Sequence, residues 1–102
     1  MLLMATGTFP LKSAVDAGKA FVEAVAKPRP YVNRVGMWMC YGDDGVKTLA
    51  VYEVEKGHEE EGLKAITNNY IPFFGVEGYK IKIEPVTTPE EALPLIGLTP
   101  PA

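Results

Sequence analysis

The chain has 102 residues, of which 47 % are apolar, 23 % charged and 10 % aromatic, a balance that excludes a disordered chain and reads as a single domain over residues 1–102. Thirteen acids against ten bases leave a net charge of −3, the wrong sign for a domain whose main partner is nucleic acid. One Cys and one His exclude an internal disulfide, a His/Cys-rich metal site and most familiar catalytic triads.

Residues 2–9 are apolar or Thr-rich, carry no charge and stop at Pro10, which predicts a central strand. No basic region precedes this run, and Thr6, Gly7 and Thr8 interrupt it, so it does not read as a secretory signal. No stretch approaches the roughly 18 apolar residues of a membrane span. With the free thiol of Cys40, these features predict a cytoplasmic protein without a membrane partner.

Ser13, three residues before Asp16, predicts a helix start with a short-armed capping box. Ala14, Val15, Gly18, Phe21, Val22 and Val25 recur at helical spacing, opposite Lys19 and Glu23, and Pro28 and Pro30 end the helix. Two strands follow, at 31–41 and 46–55, around the turn residues Gly42-Asp43-Asp44-Gly45. Asp43 and Asp44 lack the spaced oxygen ligands of a calcium loop, so the turn reading stands. With Tyr41 opposite Val46, the register places Val35, Met37, Met39, Tyr41, Ala50, Tyr52 and Val54 on one face. Arg34, Trp38, Cys40, Leu49, Val51 and Glu53 fall on the other. A bulge would exchange the faces beyond it.

Gly57 breaks the second of these strands, and a helix is predicted from His58 or Glu59 to Tyr70, with Glu59, Glu60 and Glu61 favouring its positive end. Pro72 stops it, Phe73, Phe74 and Val76 connect, and Tyr79 to Val86 alternates as a half-exposed strand. Thr88-Pro89-Glu90-Glu91 then starts a short terminal helix.

The order is βαββαβ, the ferredoxin-like arrangement, an α+β fold: a four-stranded antiparallel sheet in the order four, one, three, two, with two helices on one face. The layer with Met37, Ala50, Tyr52, Tyr79, Ile81 and Ile83 is expected under the helices. The reverse then exposes Trp38, Leu49 and Val51, bordered by Lys80, Lys82 and Glu84. Burying each large side chain there is worth on the order of 1.5–3 kcal/mol, so such a face marks an interaction surface.

In element order, in the Gly42–Gly45 hairpin and in the appended Thr88–Leu98 segment, the chain resembles the dimeric α/β-barrel proteins. It is also similar to a set of short bacterial proteins of no assigned activity that share the strand GVKTLAVYEVE and the ending EEALPLIGL. The resemblance implies two ferredoxin-like chains with their open sheets packed together around a cavity. The group spans small monooxygenases, isomerases, haem-handling enzymes and ligand-sensing modules, and fold alone does not choose among them.

Arg34 and Glu53, predicted opposite each other beside Trp38, form either a ligand-binding set or a cross-strand ion pair. In the first case Arg34 holds an anionic group while Trp38 stacks on a planar ligand. Thr6 and Thr8 line the same face from the first strand, where β propensity also explains them. Cys40 beside Lys47 is either a nucleophile or, more simply, a small packing residue. His58 is either a general base or a haem or metal ligand, or an exposed residue near a helix cap. The tyrosines offer a phenolic acid or serve as core, and Phe73-Phe74 gates a pocket or forms satellite core. Glycine-rich phosphate loops and the RNA-binding run of basic, glycine and aromatic residues are absent.

The sequence thus points to a homodimeric module that binds a small, partly apolar molecule. Its ligand-binding candidates are Arg34, Trp38, Cys40, Glu53, Thr6 and Thr8, with no metal and no cofactor expected. The alternatives are a cofactor-independent monooxygenase- or isomerase-type enzyme, with Glu53, His58 or a tyrosine moving the proton, and a structural dimer without ligand.

Overall fold

A computed structural model describes residues 1–100. The strands are β1 (Leu2–Phe9), β2 (Val32–Gly42), β3 (Gly45–Val54) and β4 (Lys80–Val86), and the helices are α1 (Ala14–Val25), α2 (Glu59–Tyr70) and a short α3 (Pro89–Ala92). The sheet order is β2-β3-β1-β4 with every neighbouring pair antiparallel, so the chain has the predicted ferredoxin-like α+β topology. Among the described residues, no helix is long and apolar enough to cross a membrane.

The strands alternate between two environments. On β1, Leu3, Ala5 and Phe9 are buried under the helices, while Met4, Thr6 and Thr8 between them are only half-buried. Val46, Ala50, Tyr52 and Val54 of β3 join the same core, with Ile66 of α2 fully buried at 0 % exposure. Helix α2 comes closest to the sheet at Gly62, where an added Cβ would collide with the Val54 side chain. Only glycine lets the helix descend that far. Phe73 is buried and stacks on Tyr79 at 4.7 Å, whereas Phe74 points away and is exposed.

Helix α1 lies on the sheet by a different edge from the expected one. Its buried residues are Ala17, Ala20 and Ala24, while Val15, Val22 and Val25 are exposed. The small alanine edge lets the helix approach the sheet, and the larger residues that dominate the hydropathy pattern are turned outwards. Ser13 does not cap it with its side chain; instead the buried hydroxyl donates to the Glu77 carbonyl at 2.7 Å and ties the helix start to the loop before β4.

The hairpin closes as expected, with Gly42 paired to Gly45, Tyr41 to Val46, Trp38 to Leu49 and Gly36 to Val51. Beyond Gly36 the register slips: a bulge between Arg34 and Gly36 pairs Arg34 with Tyr52 and Asn33 with Glu53. Two expectations are corrected here. Arg34 is not opposite Glu53, and it has moved to the helix side of the sheet. In addition, Val35, Met39 and Tyr41 are exposed, because the helices do not reach over the outer part of β2.

Thr88 caps α3 as predicted, its hydroxyl accepting from the Glu91 amide at 3.3 Å. A 3-10 turn (Leu93–Ile96) closes on Gly97 in the left-handed conformation and leaves Leu95 and Ile96 in water.

Candidate functional site

The helix-free face is a set of four rows read across β2, β3, β1 and β4. Cys40, Lys47, Thr8 and Lys80 form one end, followed by Trp38, Leu49, Thr6 and Lys82. Gly36, Val51, Met4 and Glu84 come next, and Asn33, Glu53, Leu2 and Val86 form the other end. Five of the six predicted ligand residues are therefore on one face: Trp38, Cys40, Glu53, Thr6 and Thr8. Trp38 is 55 % exposed, and its indole lies across Gly36, where an added Cβ would stand 2.6 Å from the ring. Cys40 is exposed opposite Lys47.

Arg34 belongs to a second site on the other side of the sheet. Where α1 stops short of β2, a groove of about 560 Å³ runs between them, walled by Phe9, Ala17, Gly18 and Phe21 on one side and Met37, Met39, Tyr41 and Thr48 on the other. Arg34 lines this groove, its Nη1 donating to the Met37 sulfur at 3.7 Å. Phe21, Arg34 and Met37 also border a narrow inner crevice with Arg29, Tyr52, Asn69, Tyr70 and Phe73. Arg29 and Arg34 are the only arginines in the chain, and both border this crevice. Among the described residues neither meets a carboxylate; Arg29 lies over the Tyr52 ring at 5.5 Å instead.

The crevice floor is phenolic. Tyr52 and Tyr70 share a hydrogen bond of 3.1 Å between their buried hydroxyls. Burial, with Tyr52 next to it, pushes the Tyr70 phenol far up, and burial pushes Tyr79 up to about 12. Of these, Tyr70 borders the crevice, and its phenol stays protonated at neutral pH.

The two proton-carrier candidates sit at a third place. His58 is the residue before α2, and its ring stacks on Tyr31 with centroids 3.7 Å apart and planes 3° from parallel. Tyr31 has φ = +64°, the only non-glycine residue with positive φ among those described. The buried His58 Nδ1 has no hydrogen-bond partner, and the nearest carboxylate oxygen, of Glu61, is 3.8 Å away. Glu53 lines a shallow acidic hollow with Tyr31 and Glu55, and His58 is not among the residues that line it. Among the described residues, no three His, Cys, Asp or Glu side chains gather as metal ligands.

Arg34 borders the crevice together with Arg29 only because of the bulge, whose place the hairpin pattern does not give. Gly36, an isolated glycine inside a strand pattern, was the available signal.

No protein-family profile matches the chain, and no curated protein sequence matches it. Among solved structures, it is similar to the C-terminal domain of the MgtC protein from Mycobacterium tuberculosis, with 11 % identity over 81 % of this chain and 86 % of that one and a TM-score of 0.47. It is likewise similar to a candidate antibiotic biosynthesis monooxygenase from Caulobacter crescentus, with 15 % identity over 85 % of this chain and 91 % of that one and a TM-score of 0.48.

Proposed function

We propose that the chain is a homodimeric small-molecule-binding module whose ligand is partly apolar and carries an anionic group. The observation that carries this reading is the groove between α1 and β2. It is apolar along its walls and lined by Arg34, and the adjoining inner crevice is bordered by both arginines, neither of which meets a carboxylate among the described residues. A guanidinium held only by a thioether sulfur or an aromatic ring is well suited to bind a carboxylate, sulfonate or phosphate in two-pronged fashion. Apolar walls with a few polar groups at one end are the usual make-up of a small-molecule site.

The two copies meet through the helix-free face. Trp38, Cys40, Thr6, Thr8 and Glu53 then line the space between the two sheets rather than the arginine site. A cytoplasmic location fits this reading.

The test is a fluorescence titration with anilinonaphthalene sulfonate, an aromatic anion. The native chain should bind it saturably. Arg34→Ala should weaken binding about tenfold or more, the loss of one charged hydrogen-bonding group. Gly18→Phe should block the groove, since the Gly18 position faces open space. Binding unchanged in both variants, and lost instead in Trp38→Ala, would place the ligand on the opposite face. No saturable binding at all would favour a structural dimer.

A cofactor-independent monooxygenase- or isomerase-type activity draws support from the same crevice. The Tyr52 and Tyr70 hydroxyls share one hydrogen bond, which leaves one O–H free to join an arginine in steadying a developing oxyanion. In that case Tyr52→Phe and Tyr70→Phe should abolish turnover and spare probe binding, whereas Glu53→Gln and His58→Ala should leave turnover intact.

A further inference from the structure

The helix-free face is polarised along its strands. One half carries Lys47, Lys80 and Lys82, and the other carries Glu84 and Glu53. Only Lys82 and Glu84 are paired within the chain, at 3.4 Å; among the described residues Lys47, Lys80 and Glu53 have no ionic partner. Between the charged ends lies an apolar middle of Leu49, Val51, Met4 and Trp38. This is the anatomy of an interface core with charged margins.

A closed pair of identical chains uses the same patch on both partners. If the two-fold axis ran along the strands, the lysine half of one copy would lie over the lysine half of the other and the glutamate half over the glutamate half, with no lysine set over a glutamate. If it runs across the strands, the ends are exchanged. We infer that the second copy is seated on this face reversed end for end, with the axis crossing β1 between Met4 and Thr6. This rests on the homodimer proposed above and specifies its geometry.

The register on the page then fixes the neighbours. Lys47 comes over Glu53 of the partner subunit, and Lys82 over Glu84 of the partner subunit. Leu49 meets Val51 of the partner subunit, and the two Trp38 indoles come together across the axis on the β2 side. Lys47 and Glu53, unpartnered in the isolated chain, each gain an opposite charge. Complementary ends orient such an encounter, and like charges forced together cost several kcal/mol.

The experiment uses three variants of the full chain, each compared with the native protein by sedimentation over a range of concentrations. The first carries Lys47→Glu with Lys82→Glu, and the second carries Glu53→Lys with Glu84→Lys. The third carries all four changes. Each two-residue variant should raise the dimer dissociation constant about 100-fold or more, because like charges now meet. The four-residue variant exchanges both ends and should recover to within about tenfold of the native value. That recovery also shows that the losses were not failures of folding. A native dimer with two-residue variants that associate as tightly as it does, or a four-residue variant that stays dissociated, overturns the reversed arrangement. A native chain that remains single at every concentration overturns the homodimer itself.

Discussion

The two faces of this sheet are made by the same strands with opposite consequences. On β1, Leu3, Ala5 and Phe9 point into a layer closed by α1, α2 and Phe73, whereas Met4, Thr6 and Thr8 look out onto a surface with no cover. Alternation divides a strand into two sets, but it does not decide which set becomes core. Cover decides it. On the roofed face, single side chains are locked by neighbours above and below, as Ile66 and Val54 are. On the bare face Trp38 is exposed and Leu49 and Val51 are only half-buried.

The contrast is sharpest in truncations. Ile66→Ala should cost about 2–5 kcal/mol, the usual range for a fully buried aliphatic residue. Leu49→Ala, measured at concentrations where the chain is single, should cost about 1 kcal/mol or less. Chemical denaturation of both variants checks this, and equal losses would mean that the bare face is already packed within one chain.

Alkali should reach the roofed face first. Tyr70 and Tyr79 have phenols raised above the ordinary value of 10.0 by burial, Tyr79 to about 12. The unfolded chain therefore releases these protons at lower pH than the folded one. Stability is full below pH 10 and should fall progressively from there towards about pH 12. Denaturation midpoints across that range should decline, and Tyr79→Phe should flatten the decline. A midpoint that rises with pH would contradict the burial of these phenols.

Two glycines give smaller effects. Gly18 lies inside α1 with no atom near an added Cβ, so Gly18→Ala should stabilise the chain by up to about 1 kcal/mol in thermal unfolding. Gly36→Ala should leave stability within about 1 kcal/mol but displace the Trp38 ring, which a change in its near-ultraviolet circular dichroism would report.

Much of the architecture was legible in the residues. The turn pair Asp43-Asp44 between β-rich runs set the hairpin and its register as far as Gly36, and Thr88-Pro89 set the last helix start. Three features escaped. The alanine edge of α1 has weak hydropathy, so the outward valines dominated the pattern. The bulge between Arg34 and Gly36 exchanged the face of Arg34, because side chains alternate with a period of two and one extra residue reverses them. The groove exists only because α1 ends its cover short of β2, a matter of helix placement that no local pattern encodes. Hence the bare face with Trp38 was foreseen, and the arginine crevice was not.

Trp38 is the only tryptophan in the chain and sits on edge strand β2 of the bare face, between its charged ends, so its emission reads that face alone. On serial dilution of the native protein, the emission should move from the blue-shifted position of a buried indole to the red-shifted position of a wet one, in step with a halving of the mass in solution. An emission that does not change with concentration while the mass halves would contradict association through this face.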